Sequence, residues 1–181
     1  MNTKIILFLF LALSILSACN NDKDEVMDSQ IYEGKRLTIG VIGKAPIVRE
    51  QNIVFKSIEL KDLSSENLSP EYNAIFIMKE HLSKAAKAPY AKIYKNSGIP
   101  FFFIETKKSY LPFVNEDMDY EDFPDSKSGD YAAGFYQGDD NGTYWGYGLY
   151  NNTVNDINIL DVYSRILILL KMLIIEWKTF R

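Results

Sequence analysis

From residue 36 onward, short apolar runs alternate with polar segments along the chain. Four runs are rich in β-branched and aromatic residues, and each is followed by glycine or a charged residue: 37–42, 53–60, 74–78 and 99–104. The pattern predicts four strands, and runs that are apolar almost throughout are typical of strands buried on both faces of a sheet.

The segments between these runs predict helices and loops. Five residues after the third run fall at helical spacing: Leu82, Ala86, Tyr90, Ile93 and Tyr94. Pro89 lies inside this pattern and predicts a kink or a break into two short helices, and Gly98 predicts the end of the helix. The segment 45–50 predicts one helical turn with Pro46 near its start, and 61–72 predicts a loop or a short helix.

The last third of the chain has a different pattern. Aromatic runs at 131–137 and 143–150 flank Asn141-Gly142, and this pair predicts a β-hairpin on the edge of the sheet because both residues accept positive φ. A wide apolar face from Ile157 to Trp177 predicts a long helix, which is either deeply buried or exposes an apolar stripe for a partner. Three charged residues interrupt this helix and argue against a membrane span: Asp161, Arg165 and Lys171.

Apolar strands separated by helical or irregular connections predict an α/β fold. We expect a mostly parallel sheet of about four strands with helices on both faces. To this the chain adds a β-hairpin in its C-terminal half and a long C-terminal helix. The length of 181 residues suits one folded unit, which we place at 36–181.

The N-terminal segment has the pattern of an export signal. Lys4 precedes an apolar run from Ile5 to Leu16, and the small residues Ser17 and Ala18 come directly before Cys19, the single cysteine of the chain. The apolar run is roughly a dozen residues long, whereas a membrane-spanning helix needs about 20. The run is therefore too short to predict a spanning helix.

The sequence Leu16-Ser17-Ala18-Cys19 resembles the bacterial lipobox, the cleavage site of lipoprotein signal peptides. The resemblance implies a signal peptide at 1–18, cleavage between Ala18 and Cys19, and a diacylglycerol thioether on Cys19 with fatty acids such as palmitate. The protein would then lie on the outer face of the cell membrane, because two acyl chains give durable anchoring. The alternative is an ordinary secretory signal with a chance cysteine.

The residues after the signal are polar and acidic. Residues 19–35 lack apolar periodicity and predict a flexible tether between the lipid and the domain. The whole chain has 20 Lys and Arg against 24 Asp and Glu, a net charge of −4. This balance argues against nucleic acid as a partner, because nucleic-acid-binding domains usually carry a basic patch. With one cysteine, no disulfide forms within the chain.

Several chemistries are excluded by composition. His81 is the single histidine and Cys19 the single cysteine, so a Cys/His nucleophilic pair in the mature domain and a zinc site with several histidines are both excluded. The acidic run at 116–125 lacks the spacing and glycine of a calcium-binding EF-hand loop. We expect neither a metal site nor a cofactor.

Charged residues follow the predicted strands. Lys44 follows the first strand, Lys79 and His81 follow the third, and Glu105 and Lys107 follow the fourth. Ligands of open parallel sheets bind beyond the carboxyl ends of the strands. These five residues therefore predict a binding site, and its cations would suit a small anion.

Three functions remain open. The first is a non-catalytic domain that binds a ligand or an envelope protein, and the second is a cell-envelope enzyme that uses Glu80 and Glu105 for acid–base catalysis. The third is an accessory subunit that docks through its C-terminal helix. The segments 74–80, 99–104 and 144–150 resemble small lipoproteins of Gram-positive bacilli. That resemblance implies a location and no activity.

Overall fold

The computed structural model describes residues 29–64, 68–127, 129–138 and 142–179, with side chains as far as residue 174. Four features that the sequence predicts lie outside the described residues: the signal peptide at 1–18, Cys19, the tether at 20–28 and the hairpin turn at 139–141.

The described strands form one mixed sheet of six strands in the order β2-β1-β3-β4-β5-β6. Their bounds are β1 Leu37–Ile42, β2 Ile53–Ser57, β3 Ala74–Ile77, β4 Phe101–Ile104, β5 Asp130–Tyr136 and β6 Thr143–Gly148. Strands β2, β1, β3 and β4 are parallel, while β5 runs antiparallel to β4 and β6 antiparallel to β5.

The α/β class is confirmed, but the expected sheet of about four mostly parallel strands is wrong. The hairpin strands belong to the sheet itself, because β5 pairs with β4 from Phe101↔Phe135 to Ile104↔Ala132. This pairing satisfies the backbone groups along an edge of β4 that would otherwise be unpaired. The small residue Gly134 lies opposite Phe102 and leaves room for its ring.

The helices are four short ones and a long one at the C-terminus. Among the described residues they are α1 Leu68–Glu71, α2 Leu82–Ala85, α3 Ala88–Asn96, α4 Leu111–Val114 and α5 Asp156–Thr179. Single 3₁₀ turns are found at Leu60–Asp62, Lys79–His81, Tyr120–Asp122 and Tyr150–Asn152.

Pro89 has the predicted effect. It occupies the second position of α3, where a missing N–H costs little, and it separates α3 from α2. Gly98 follows the end of α3 with φ +67°, a conformation that glycine adopts without strain. The helical turn expected at 45–50 is wrong, because this segment is irregular. Its residue Val48 packs toward the core, and its Glu50 accepts hydrogen bonds from distant groups.

Each face of the sheet packs against its own apolar core. On one face, which we call the helix face, β1, β3 and β4 pack against α5 through residues that include Phe76, Phe102 and Ile166. On the opposite face, Ile75 and Phe103 pack against the short helices α1 to α4. Helices therefore cover both faces, as the apolar character of β3 and β4 predicts.

The C-terminal helix is an element of the core along its described side chains. Ile166 and Leu167 are fully buried, and Ile168 and Leu169 pack partly buried against the helix-face core. Met172 remains half exposed. Of the two alternatives, the structure favours burial over an exposed apolar stripe.

The segment 29–35, expected to belong to the tether, packs on the domain instead. Tyr32 is only 3% exposed, and its backbone N–H donates to Glu50 Oε1 at 3.3 Å. The Ser29 N–H donates to Asp161 Oδ1 of α5 at 3.0 Å. The folded unit thus includes Ser29 and does not start at Arg36. Burial of the Tyr32 ring stabilises this segment, and the polar residues around Tyr32 in the sequence do not indicate that burial.

A crevice forms where the connections diverge. The connection that leaves β1 runs over the helix face, where Val48 packs, whereas Leu82 and Ala85, which follow β3, pack on the opposite face. Strands β1 and β3 are neighbours. Adjacent parallel strands whose connections leave on opposite faces open a crevice at their carboxyl ends, which is the usual ligand position in such sheets.

Candidate functional site

The sequence-predicted residues lie at this carboxyl edge. Lys44 follows β1, Lys79 and His81 form the turn after β3, and Glu105 and Lys107 follow β4. Because β1, β3 and β4 are parallel neighbours, their carboxyl ends lie side by side. Lys79 Nζ and Glu105 Oε2 form an ion pair at 3.7 Å.

Two clefts open at this edge. The first, which we call the helix cleft, has a volume of about 650 Å³ and lies between the β1 and β3 ends and the first turns of α5. Its charged lining residues are Lys44, Glu80, Glu105 and Asp156, and the rest of its lining is Tyr163 with Ala45, Pro46, Ile47, Met78, Ile159 and Leu160.

The second, which we call the loop cleft, has a volume of about 480 Å³. Its lining comes from the ends of β3 and β4, the start of β5 and the turn before α5: Lys79, Glu105, Thr106, Lys107, Asp125, Ser126, Gly129, Asp130, Tyr131, Leu149, Asn152 and Val154. Both volumes fall within the range, about 300–1,000 Å³, of small-molecule sites.

Glu105 lines both clefts. Its backbone is in the left-handed region with φ +56°, which a residue with a Cβ adopts at a cost of roughly 1–3 kcal/mol. Strain of this kind concentrates at functional sites, where the surrounding structure holds a side chain in a required direction. Here it turns the chain sharply after β4 and places the carboxylate beside Lys79.

Two tyrosines accompany Glu105. Tyr163 of α5 lines the helix cleft, Tyr131 of β5 lines the loop cleft, and each phenol influences the pKa of the other. Burial, and to a lesser extent the Glu105 carboxylate, raises the pKa of Tyr131 to about 12. Burial also raises the pKa of Tyr163, and the neighbouring Tyr131 adds to the effect. Both phenols are protonated at neutral pH, so they can donate as well as accept hydrogen bonds.

Gly43 lets the ends of β1 and β3 approach each other. Its φ is +112°, and a Cβ on it would lie 2.5 Å from Glu80 Oε1 and 2.8 Å from Met78 Cβ. The Glu80 carboxylate could move, but Met78 Cβ is fixed to the backbone and leaves no room for a side chain. Glycine at this position thus allows Lys44 and Glu80 to line the same cleft.

The structure assembles most of the predicted residues but not all. Lys44 reaches the helix cleft, Lys79 and Lys107 reach the loop cleft, and Glu105 reaches both. Among the described residues that line these clefts, His81 is absent; its Nε2 lies 4.0 Å from Glu80 Oε1.

The charge of the site differs from the expectation of converging cations. Besides three lysines, the two clefts are lined by five carboxylates: Glu80, Glu105, Asp125, Asp130 and Asp156. Asp125 is 3.4 Å from Lys108 Nζ, and Asp130 accepts a hydrogen bond from Ser126 Oγ. The lining therefore carries more negative than positive charge, which disfavours a small anion.

Sequence reasoning missed Asp130, Tyr131, Asp156 and Tyr163. The first two lie at the start of β5, and an antiparallel strand places its first residues at the carboxyl end of β4. Predicting which strand the hairpin pairs with would have found them. Asp156 is the first residue of α5, one residue before the helix that the sequence predicts, and the docking of this turn over the β1 end brings it to the cleft.

The lining carries ammonium, carboxylate and phenol groups that can bind a ligand. Glu80 and Glu105 line one cleft, as acid–base catalysis by two carboxylates requires. Within the described ranges, no group of three or more His, Cys, Asp or Glu side chains is arranged to hold a metal ion.

No protein-family model, no curated protein and no solved structure matches this chain. In the part of the chain that the structure describes, every helix is too short or too polar to cross a membrane.

Proposed function

We propose that this chain is an extracytoplasmic lipoprotein, anchored to the cell membrane by diacylglycerol on Cys19, whose α/β domain binds a small ligand at the carboxyl end of its parallel strands.

The anchor is supported by the sequence Leu16-Ser17-Ala18-Cys19 after a short apolar run. It resembles the lipobox of bacterial lipoproteins, and segments such as 144–150 resemble small lipoproteins of Gram-positive bacilli. The absence of any other cysteine is consistent with a thiol used for lipid attachment.

One observation carries the binding function: Glu105 is held at φ +56° between two clefts at the β1–β3 crevice. Strained backbone, a pair with Lys79 and two cavities of ligand size coincide at one residue. A loop that only connected β4 to α4 would not need a strained carboxylate at this position.

The anchor is tested by metabolic labelling with a radioactive fatty acid in a bacterial host with lipoprotein processing. The native chain is expected to carry label and to run as a processed form. Cys19→Ser is expected to abolish the label and to accumulate the precursor, whereas Ser17→Ala is a matched control that keeps both. Label retained by Cys19→Ser would disprove the anchor.

Binding is tested by thermal unfolding of the purified lipoprotein in detergent against amines, carboxylates and polyols. At least one compound is expected to raise the unfolding midpoint, since a ligand that binds only the folded state stabilises it. Glu105→Gln should abolish the shift, while Asp117→Asn, which removes an exposed carboxylate outside both clefts, should leave it unchanged. No shift with any compound would contradict the binding function.

An envelope enzyme is the second candidate, because Glu80 and Glu105 line the same cleft. It predicts that the protein releases soluble fragments from isolated cell-envelope material, detected by mass spectrometry, and that Glu80→Gln and Glu105→Gln each stop the release.

The accessory-subunit alternative has less support, because Ile166, Leu167 and Leu170 of α5 are buried within the domain.

A further inference from the structure

We propose that the helix cleft binds an aliphatic amine, that is, a protonated amino group on an apolar chain. The inference rests on the proposed binding function and assigns its ligand class. It replaces the small anion that the lysines at the strand ends suggest.

The lining of the helix cleft carries a net negative charge. Three carboxylates line it, Glu80, Glu105 and Asp156, against the single ammonium of Lys44. A bound anion would add to an excess of negative charge, whereas a bound ammonium would reduce it. Carboxylates also accept hydrogen bonds from an ammonium, and such charged bonds are roughly twice as strong as neutral ones.

This negative charge is incompletely paired among the residues that the structure describes. Within the described residues, Asp156 forms no ion pair, and it lies exposed at the start of α5. Glu105 has its ion-pair partner, Lys79, at 3.7 Å, and that lysine side chain is 65% exposed and free to move away.

Part of the helix cleft has apolar walls. Ile159 and Leu160 line it from α5, and Ile47 lines it from the β1–β2 connection. Ile47 is 84% exposed, so its side chain has surface to bury against a ligand. A cleft with apolar walls and a few convergent charges is typical of sites for amphipathic small molecules.

The test uses three probes of equal chain length: pentylamine, pentanoate and 1-pentanol. Each is titrated into the lipidated protein in a non-ionic detergent, and binding is followed by the unfolding midpoint and by saturation-transfer NMR on the probe. Pentylamine is expected to bind more tightly than the other two. Glu105→Gln and Asp156→Asn should each weaken it roughly two- to fivefold, the loss expected for one partly exposed charge pair.

Two further variants separate the cleft from the general charge of the protein. Lys44→Gln should tighten pentylamine binding two- to fivefold, because it removes the opposing charge from the lining. Asp117→Asn changes the net charge as Asp156→Asn does, but outside the clefts, and should have no effect. Asp156 is a first-turn residue of α5, so its variant keeps the test valid if Glu105→Gln fails to fold.

Each outcome decides the inference. Selective binding of pentylamine that depends on Glu105 or Asp156 supports it. Preference for pentanoate or pentanol, with the same dependence on Glu105, overturns the ligand class while the binding function stands. If Asp117→Asn and Asp156→Asn weaken pentylamine binding equally, the amine is attracted only by the net charge of the protein. That result overturns the inference. If no probe binds, the inference fails, and the wider compound screen decides whether the binding function fails with it.

Discussion

The two faces of the sheet are covered in different ways. The helix face packs against one continuous helix, α5, whereas the opposite face packs against the four short helices α1 to α4. Helices shorter than about 12 residues are marginal on their own and depend on tertiary contacts. The opposite face supplies such contacts with aromatic rings: Phe103 stacks on Phe113 with centroids 3.5 Å apart, and Tyr94 meets Phe101 at 4.7 Å.

The helix face, in contrast, buries polar groups. Ser164 Oγ donates to Glu50 Oε1 at 2.6 Å, and Arg165 Nε donates to Asp161 Oδ2 at 2.8 Å. Arg165 also donates to the Gly148 carbonyl of β6 at 2.7 Å. Within a long helix, the backbone N–H and C=O groups are hydrogen-bonded to one another. The side chains of α5 are therefore available to contact distant segments, and the helix cleft lies beside its first turn. Both faces thus contribute to stability, one through stacked aromatic rings and the other through buried polar contacts, and the helix cleft lies at the end of the face that α5 covers.

The largest expected effect tests the aromatic packing of the opposite face. Phe103→Ala should lower the free energy of unfolding by about 3–5 kcal/mol, because it removes a fully buried ring and leaves a cavity against Phe113. Urea unfolding measures the loss. The matched control is Phe55→Ala, on edge strand β2 and only partly buried, which should cost clearly less. Equal costs would show that the ring stack does not matter.

The next effect tests the polar contacts of the helix face. Asp161→Asn should cost about 2 kcal/mol in urea unfolding, because Arg165 loses its charged partner in a site where Asp161 is almost fully buried. The double variant Asp161→Asn/Arg165→Met should recover at least half of this loss. A double variant no more stable than the single one would argue against an ion pair as the cause.

Alkaline pH should weaken the helix face through its buried tyrosines. Burial raises the pKa of Tyr147, which therefore ionises near its ordinary value of about 10 only in the unfolded chain. Stability is fully present below pH 10 and falls above it, at up to about 1.4 kcal/mol per pH unit for such a group. Between pH 9 and pH 11, Tyr147→Phe should lose about 1 kcal/mol less than the native chain in urea unfolding. An identical loss would contradict the assignment.

The smallest expected effect on stability concerns an ion pair on the protein surface. Lys87 Nζ lies 2.6 Å from Asp119 Oδ1, and both side chains are more than half exposed. Asp119→Asn should change the free energy of unfolding by less than about 1 kcal/mol, because water and salt screen such pairs. The difference should shrink further in 1 M salt, whereas the cost of Phe103→Ala should persist there.

The local sequence pattern was sufficient to predict most of the strands and helices. The apolar runs at 37–42 and 74–78 are strands, Pro89 divides the helical segment in two, and the helix expected at 157–177 is present as Asp156–Thr179. These features follow from periodicity and from the geometry of single residues, which nearby sequence displays. The loops that follow β1, β3 and β4 were identified for the same reason, and with them Lys44, Lys79 and Glu105.

Contacts between residues far apart in the sequence determined the remaining features of the fold and of the site. The chain between residues 29 and 35 reads as polar, yet Tyr32 is buried because a surface formed by distant segments receives it. Asp130 and Tyr131 reach the site only because β5 pairs antiparallel with β4, and Asp156 only because α5 lies across the β1 end. Sequence by itself determined where strands, helices and charged turns occur, since these depend on neighbouring residues. Tertiary structure alone decided the pairing of edges, the left-handed turn at Glu105 and the excess of carboxylates in the clefts, since these depend on surfaces far apart in the chain.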